Sequence, residues 1–195
     1  MDKEFLEDKT EYDNFDEVNI SFPANIALLG TTGSFKTNFL VNLIKDTGVF
    51  NKIVLYLANP EQPLYKSLIK KIRALEVKEK TSILEIFDNI DNVKSPLDID
   101  PSENTLVVFD DFQNEKVSKQ KNIIDLFTRG RTRQVTCVYI AQTYYKGIPA
   151  IIRGNLQYLI IFKVQSPSDL ARILADRSLG VDKKQLMNMY MYVKS

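Results

Sequence analysis

The chain has 195 residues, 44% of them hydrophobic and 26% charged, with a formal net charge of +1. That is the balance of a single globular domain with a sizeable core, and it excludes a uniformly basic nucleic-acid coat, so any nucleic-acid contact must rest on a local patch. There is no histidine and one cysteine, Cys137, which excludes a Cys/His zinc site, a histidine general base and an intramolecular disulfide.

The acidic opening "MDKEFLEDKTEYDNFDE" is not a signal peptide, and no apolar run reaches transmembrane length. A reduced, cytoplasmic-type compartment is expected. Residues 1–20 lack helical periodicity and read as an acidic arm, with one domain over 21–195. The first apolar run, "NIALLG" (25–30), leads into "GTTGSFKT", Gly30 to Thr37. This is nearly the phosphate-binding pattern G-x-x-x-x-G-K-[ST], with Phe35 in place of the second glycine. In such a loop the backbone N–H groups of Gly30, Thr31, Thr32, Gly33, Ser34 and Phe35 turn inward toward phosphate oxygens. The following helix adds its N-terminal dipole, Lys36 brings a full charge, and the Thr37 hydroxyl serves Mg²⁺. A strand before it and an amphipathic helix (37–46) after it are the required context; whether the Phe35 β-carbon crowds the loop or is absorbed by a changed backbone stays open.

Further apolar runs at 52–58, 104–112, 135–143 and 157–164, with a weaker one at 82–87, are apolar on consecutive positions, as strands buried on both faces of a parallel sheet are. Helices are expected at 62–76, 117–128, 147–153, 167–177 and 182–192, the fifth of the set with 37–46 being opened by Ser166 as N-cap, Pro167 and Asp169. The alternation predicts an α/β fold, and "DNIDNVKSPLDIDPSEN" (88–104) is its one long polar loop. "TLVVFDDF" ends a buried strand in Asp110 and Asp111, at the edge where open α/β sheets bind ligands. There the first acid suits Mg²⁺ and the second can polarise an attacking water, although Asp111 is one methylene shorter than the usual glutamate. "FTRGRTRQ" clusters Arg129, Arg131 and Arg133 on one turn, suited to gripping phosphates or to reaching a neighbouring subunit's nucleotide. The next strand, "VTCVYIAQT", delivers Gln142, and "GIPAIIRGN" carries Arg153 at a helix end. Three buried strands that each deliver polar groups at the same end outweigh any one motif.

The order "GTTGSFKT … VVFDD … LFTRGRTRQVTCVYIAQTYYKGIPAIIRGNLQYLIIFK" resembles the genome-packaging ATPases of large DNA viruses, poxviruses and virophage-like elements, in the FtsK–HerA branch of P-loop motors. The likeness spans about residues 25–190 and is most specific from Phe127 to Lys163. It implies a RecA-like P-loop NTPase, with a mostly parallel central sheet flanked by helices on both faces and the acidic strand separated from the phosphate-loop strand by the glutamine strand. It implies ATP and Mg²⁺ as cofactors, Lys36 and Thr37 on phosphate and metal, Asp110 on Mg²⁺, Asp111 as base and Gln142 as γ-phosphate sensor. Arg129, Arg131 or Arg153 would act in trans. The partners implied are double-stranded DNA, further copies of the chain in a ring, and capsid or portal-vertex proteins, at a host-cytoplasmic assembly site or in the virion. Phe35, Thr132 where relatives often have histidine, and the early stop at "YMYVKS" depart from the pattern. Lys116, Lys119, Lys121 and Lys146 are candidate DNA contacts. A nucleotide-binding switch or scaffold with little hydrolysis is the alternative, supported by Phe35 and Asp111. A small-molecule kinase is disfavoured by the acid pair, the sensor glutamine and the lack of a lid segment.

Overall fold

The computed structural model describes residues 20–112, 115, 117–177 and 180–194. The acidic arm, apart from Ile20, and Lys116 lie outside these residues. The consecutive apolar runs become strands β1 (Asn25–Leu29), β2 (Lys52–Leu57), β3 (Leu84–Phe87), β4 (Thr105–Asp110), β5 (Val135–Ala141) and β6 (Tyr158–Ile161). They form one sheet in the order β3-β2-β4-β5-β1-β6, every pairing parallel. The strand carrying Asp110 is thus separated from the phosphate-loop strand by β5, as expected.

The helices are α1 (Lys36–Thr47), α2 (Pro63–Glu79), α3 (Lys121–Arg129), α4 (Tyr144–Gly147), α5 (Ala150–Gly154), α6 (Pro167–Arg177) and α7 (Lys183–Lys194). Side chains alternate across each strand, so both faces of the sheet need cover. Ile26, Leu28, Leu106, Val108, Val138 and Ile140 pack with Leu40 and Leu43 of α1 and with Tyr65, Leu68 and Ile72 of α2. Ala27, Leu29, Val107, Phe109, Cys137 and Tyr139 pack on the other face with Ile123, Leu126 and Phe127 of α3 and Ile152 of α5. β1, β4 and β5 are central and buried, whereas β6 is half-buried along its whole length because it is an edge strand paired on one side.

Three expectations change. The helix expected over 147–153 is two short helices, because Pro149 has no N–H and its preceding residue, Ile148, is extended at φ −113°. The helix expected from residue 117 starts with a 3₁₀ turn and is α-helical only from Lys121. The polar loop at 88–104 holds two 3₁₀ turns, the second capped reciprocally by Ser95 and Asp98.

At the site end of the sheet, Phe87, Tyr56, Phe109 and Tyr139 form a rung in register across β3, β2, β4 and β5. Tyr56 stacks on Phe87 and Phe109 at 5.2 and 5.1 Å between centroids. This rigid row lies one residue before Asp110 and thereby supports the strand tip.

Candidate active site

The loop from Gly30 to Phe35 is pinned to both neighbouring strands. Gly30 N–H donates to the Ala141 carbonyl at the end of β5, and Thr31 N–H to the Lys163 carbonyl past β6. Gly30 has to be glycine, since a β-carbon there would lie 2.6 Å from Ser34 Oγ and 2.8 Å from Phe162 Cβ. Phe35 answers the question its position raised. It has φ 69° and ψ 15°, the left-handed conformation a glycine would take freely, and its ring points outward, 71% exposed. The backbone therefore makes the turn a glycine would make, and the side chain faces solvent.

No side chain caps the first turn of α1, which leaves its N–H groups available to an anion. Lys36 is half-buried and donates to the carbonyls of Gly30 and Thr31 at 2.7 and 2.8 Å. Its amine is thereby stretched over the loop. Burial lowers its pKa, and the carboxylates of Asp110 and Asp111 work against that shift. Asp110 shows the converse: burial raises its carboxyl above the ordinary range, opposed by a hydrogen bond from Tyr65, reinforced by Asp111 and opposed again by Lys36.

Tyr65, on the buried face of α2, is the residue that sequence reasoning missed. Its hydroxyl donates to Asp110 Oδ2 at 2.6 Å, and the neighbouring Thr37 side chain lowers its pKa. Burial, then the Asp110 charge, pushes the phenol far above its usual value, so it stays a donor at any working pH. Tyr65 thus stands between a hydroxyl, that of Thr37, and the Asp110 carboxylate. Gln62, at the start of α2, is a second omission. In the sequence both look like ordinary residues of a surface helix.

Lys36, Thr37, Asp110, Asp111, Gln142 and Gln62 line one cavity of about 150 Å³, with Thr32 and Gly33 of the loop. Asp111 leaves the strand with φ 67°, which turns its exposed carboxylate away from the β4 pleat and into this cavity. Gln142 stands one residue past β5, also exposed. A tight space that holds a lysine, two hydroxyls, two carboxylates and two amides, beside an open helix N-terminus, can bind a polyphosphate with a hydrated divalent cation.

The arginines do not join it. Arg129 and Arg131 sit on the turn that precedes β5, at the opposite end of that strand from Gln142. The strand has seven residues, which separates them from the cavity by about 20 Å. Both are exposed, and their guanidinium groups have no partner among the described residues. Arg133 instead turns inward, donating to the carbonyls of Ile99 and Leu97. Arg153 is also engaged: it donates to the carbonyls of Tyr145 and Ile148 at 3.1 and 2.6 Å and lies 5.3 and 5.2 Å from the ring centres of Tyr144 and Tyr145. Of the lysines, Lys119 pairs with Asp91 at 3.5 Å, while Lys121 and Lys146 are exposed.

The family model described as the poxvirus A32 protein matches residues 12–195. The chain belongs to that family. No curated protein matches it in sequence. Among solved structures, this member of the poxvirus A32 family is similar to the genome packaging NTPase B204 from Sulfolobus turreted icosahedral virus 2, in complex with ATP-gammaS. The TM-score is 0.55 and the identity 16%, over 78% of this chain and 80% of that one. It is also similar to the cytoplasmic domain of EssC, with a TM-score of 0.54 and 16% identity over 84% of this chain; it spans 35% of the EssC chain. These likenesses establish the P-loop NTPase fold. Among the described residues no helix is long and apolar enough to cross a membrane.

Proposed function

We propose that the chain is a genome-packaging ATPase, which hydrolyses ATP at the cavity between α1 and the tips of β4 and β5 and uses the energy to move double-stranded DNA into a viral capsid. The observation that carries this reading is the convergence of Lys36, Thr37, Asp110, Asp111 and Gln142 on one cavity in a member of the poxvirus A32 family. The ATP-gammaS bound to the B204 NTPase supports ATP as the nucleotide here.

In this reading the N–H groups of residues 30–35 and the first turn of α1 hold the triphosphate. Lys36 leaves the two loop carbonyls for the outer phosphates, a short swing because its amine already spans the loop. Thr37 and Asp110 would hold Mg²⁺, which would supply positive charge beside the phosphate oxygens. The Tyr65 hydroxyl, donating to Asp110 Oδ2, fixes the orientation of the carboxylate that would hold the cation. Asp111 accepts the proton of the attacking water, and Gln142 orients that water and contacts the γ-phosphate. Arg129 or Arg131 completes the site of a neighbouring copy in a homo-oligomeric ring. Their distance from the cavity of their own chain favours action in trans, and the internal engagement of Arg153 makes it the weaker choice. Capsid or portal-vertex proteins are the partners at the host-cytoplasmic assembly site, and DNA contacts fall to exposed loop lysines such as Lys121 and Lys146.

The test is phosphate release from Mg·ATP, with and without double-stranded DNA, beside a Lys36→Ala control. Turnover that needs Lys36 and rises with DNA and with protein concentration supports the motor. ATP binding without turnover under every condition, forced oligomerisation included, transfers the site to a nucleotide-dependent switch or scaffold.

A further inference from the structure

The phosphate cavity has a neighbour. Gly33 lines it and also a second, mostly apolar cavity of about 440 Å³, bounded by Phe35 of the loop, Phe162 and Lys163 at the end of β6, and Tyr190 and Val193 of α7. The two spaces therefore meet at one loop residue, one polar and one apolar. Phe35 has no role in folding that would account for it: its ring is 71% exposed, and its φ of 69° is a conformation that a side-chain-bearing residue adopts reluctantly. A strained, outward-facing aromatic in a binding loop marks a contact made with something else. The far wall is held in place. The Tyr190 hydroxyl donates to the Phe162 carbonyl at 2.9 Å and accepts from Val164 N–H at 3.2 Å, which ties α7 across the end of β6. Phe39 braces Phe162 from α1, edge-on at 5.9 Å.

We propose that this cavity receives the base and sugar of the nucleotide whose triphosphate occupies the loop, with the base lying on the Phe35 ring. It rests on the reading of the loop as a triphosphate site. The volume is that of a small-molecule pocket, and its place beyond Gly33 is where the polar tail of a nucleotide gives way to its flat apolar head. The lining also determines selectivity. An aromatic face binds any base, since every base has a π-face. Reading a base edge needs accessible, unspent donors and acceptors, and here the Tyr190 hydroxyl is consumed within the chain, while the Ser34 hydroxyl, unpaired among the described residues, is buried out of a base's reach. Among the described lining side chains only the flexible Lys163 ammonium is then open to a base edge. The site therefore accepts nucleoside triphosphates without separating adenine from guanine.

The experiment is equilibrium binding, with Mg²⁺, of ATP, GTP and inorganic tripolyphosphate to the wild-type chain, Phe35→Ala and Phe35→Trp. The wild type should bind ATP more tightly than tripolyphosphate, and GTP within about threefold of ATP. The ratio of ATP to tripolyphosphate affinity should fall at least about fivefold in Phe35→Ala, the lower end of a lost base–aromatic stack, and recover in Phe35→Trp. Circular dichroism confirms that the variants are folded. Tripolyphosphate binding as tight as ATP in the wild type, or an unchanged ratio in Phe35→Ala, overturns the base site and leaves the phosphate loop intact. Strong rejection of GTP overturns the lack of base choice. If the wild type binds neither ATP nor tripolyphosphate, the phosphate loop itself fails and this inference with it.

Discussion

Replacing Tyr65 by phenylalanine removes one oxygen and leaves the ring in its buried slot. The bond lost is a phenol donating to Asp110 Oδ2 at 2.6 Å, the length of a charge-assisted hydrogen bond. Such bonds contribute about 1.5–3 kcal/mol net, and 1.4 kcal/mol is a factor of ten. The Mg²⁺ concentration for half-maximal ATP turnover should therefore rise roughly 10- to 100-fold, the usual cost of losing a residue that orients a metal-binding group. Proton competition adds a second signature. Burial already raises the Asp110 pKa, and the Tyr65 bond is the largest influence opposing that rise. Without it the carboxyl protonates at higher pH, and the acid limb of the turnover profile moves upward. The assay is a Mg²⁺ titration of steady-state phosphate release at several pH values, with thermal unfolding to show that the variant remains folded. An unchanged Mg²⁺ midpoint together with an unmoved acid limb would refute the positioning role of Tyr65.

Gly30→Ala places a β-carbon against Ser34 Oγ and Phe162 Cβ and should destabilise the fold by about 1–3 kcal/mol, read as a lower urea midpoint. Glu76 accepts from the N–H groups of Leu84 and Ile83 and from Arg73, which holds its carboxyl down to about 2 from an ordinary 4.5. Its folded pKa is depressed, so its contribution is complete above pH 4.5 and lost as pH falls to about 2. Glu76→Gln should therefore have a lower urea midpoint than the wild type at neutral pH, with the gap closing across that window. Arg129→Ala combined with Arg131→Ala should leave ATP binding intact and abolish stimulated turnover; mixing this variant with Lys36→Ala subunits should restore part of it, since a ring then contains junctions with both a working loop and a working arginine. No recovery on mixing, measured as phosphate release against subunit ratio, would argue against trans action.

The sequence by itself determined the strands, the loop and the acidic tip. A strand buried on both faces is apolar on consecutive positions, so the runs at 25–30, 104–112 and 135–143 were legible without any partner, and the strands occupy 25–29, 105–110 and 135–141 of them. The candidate phosphate loop was legible because its pattern lies in one short stretch, and the acid pair because it ends a buried run. Only the tertiary structure decided what depends on meeting across distance. Tyr65 looks like any apolar-face residue of an amphipathic helix until α2 crosses the tip of β4, 45 residues away in the chain. Asn25 looks like a strand-start polar residue, yet its amide holds the carbonyls of Phe127 and Asn155 together. Arginines show the same limit: Arg129, Arg131, Arg133 and Arg153 carry equal charge in the sequence, and only packing shows that Arg133 and Arg153 are turned inward onto carbonyls while Arg129 and Arg131 face outward. Phe35 divides between the two. Its departure from glycine was plain in the sequence, but the left-handed backbone and the outward ring are seen only in the fold. Local pattern sets which residues must be buried; the partner each polar group finds is set by the order in which the strands are laid side by side.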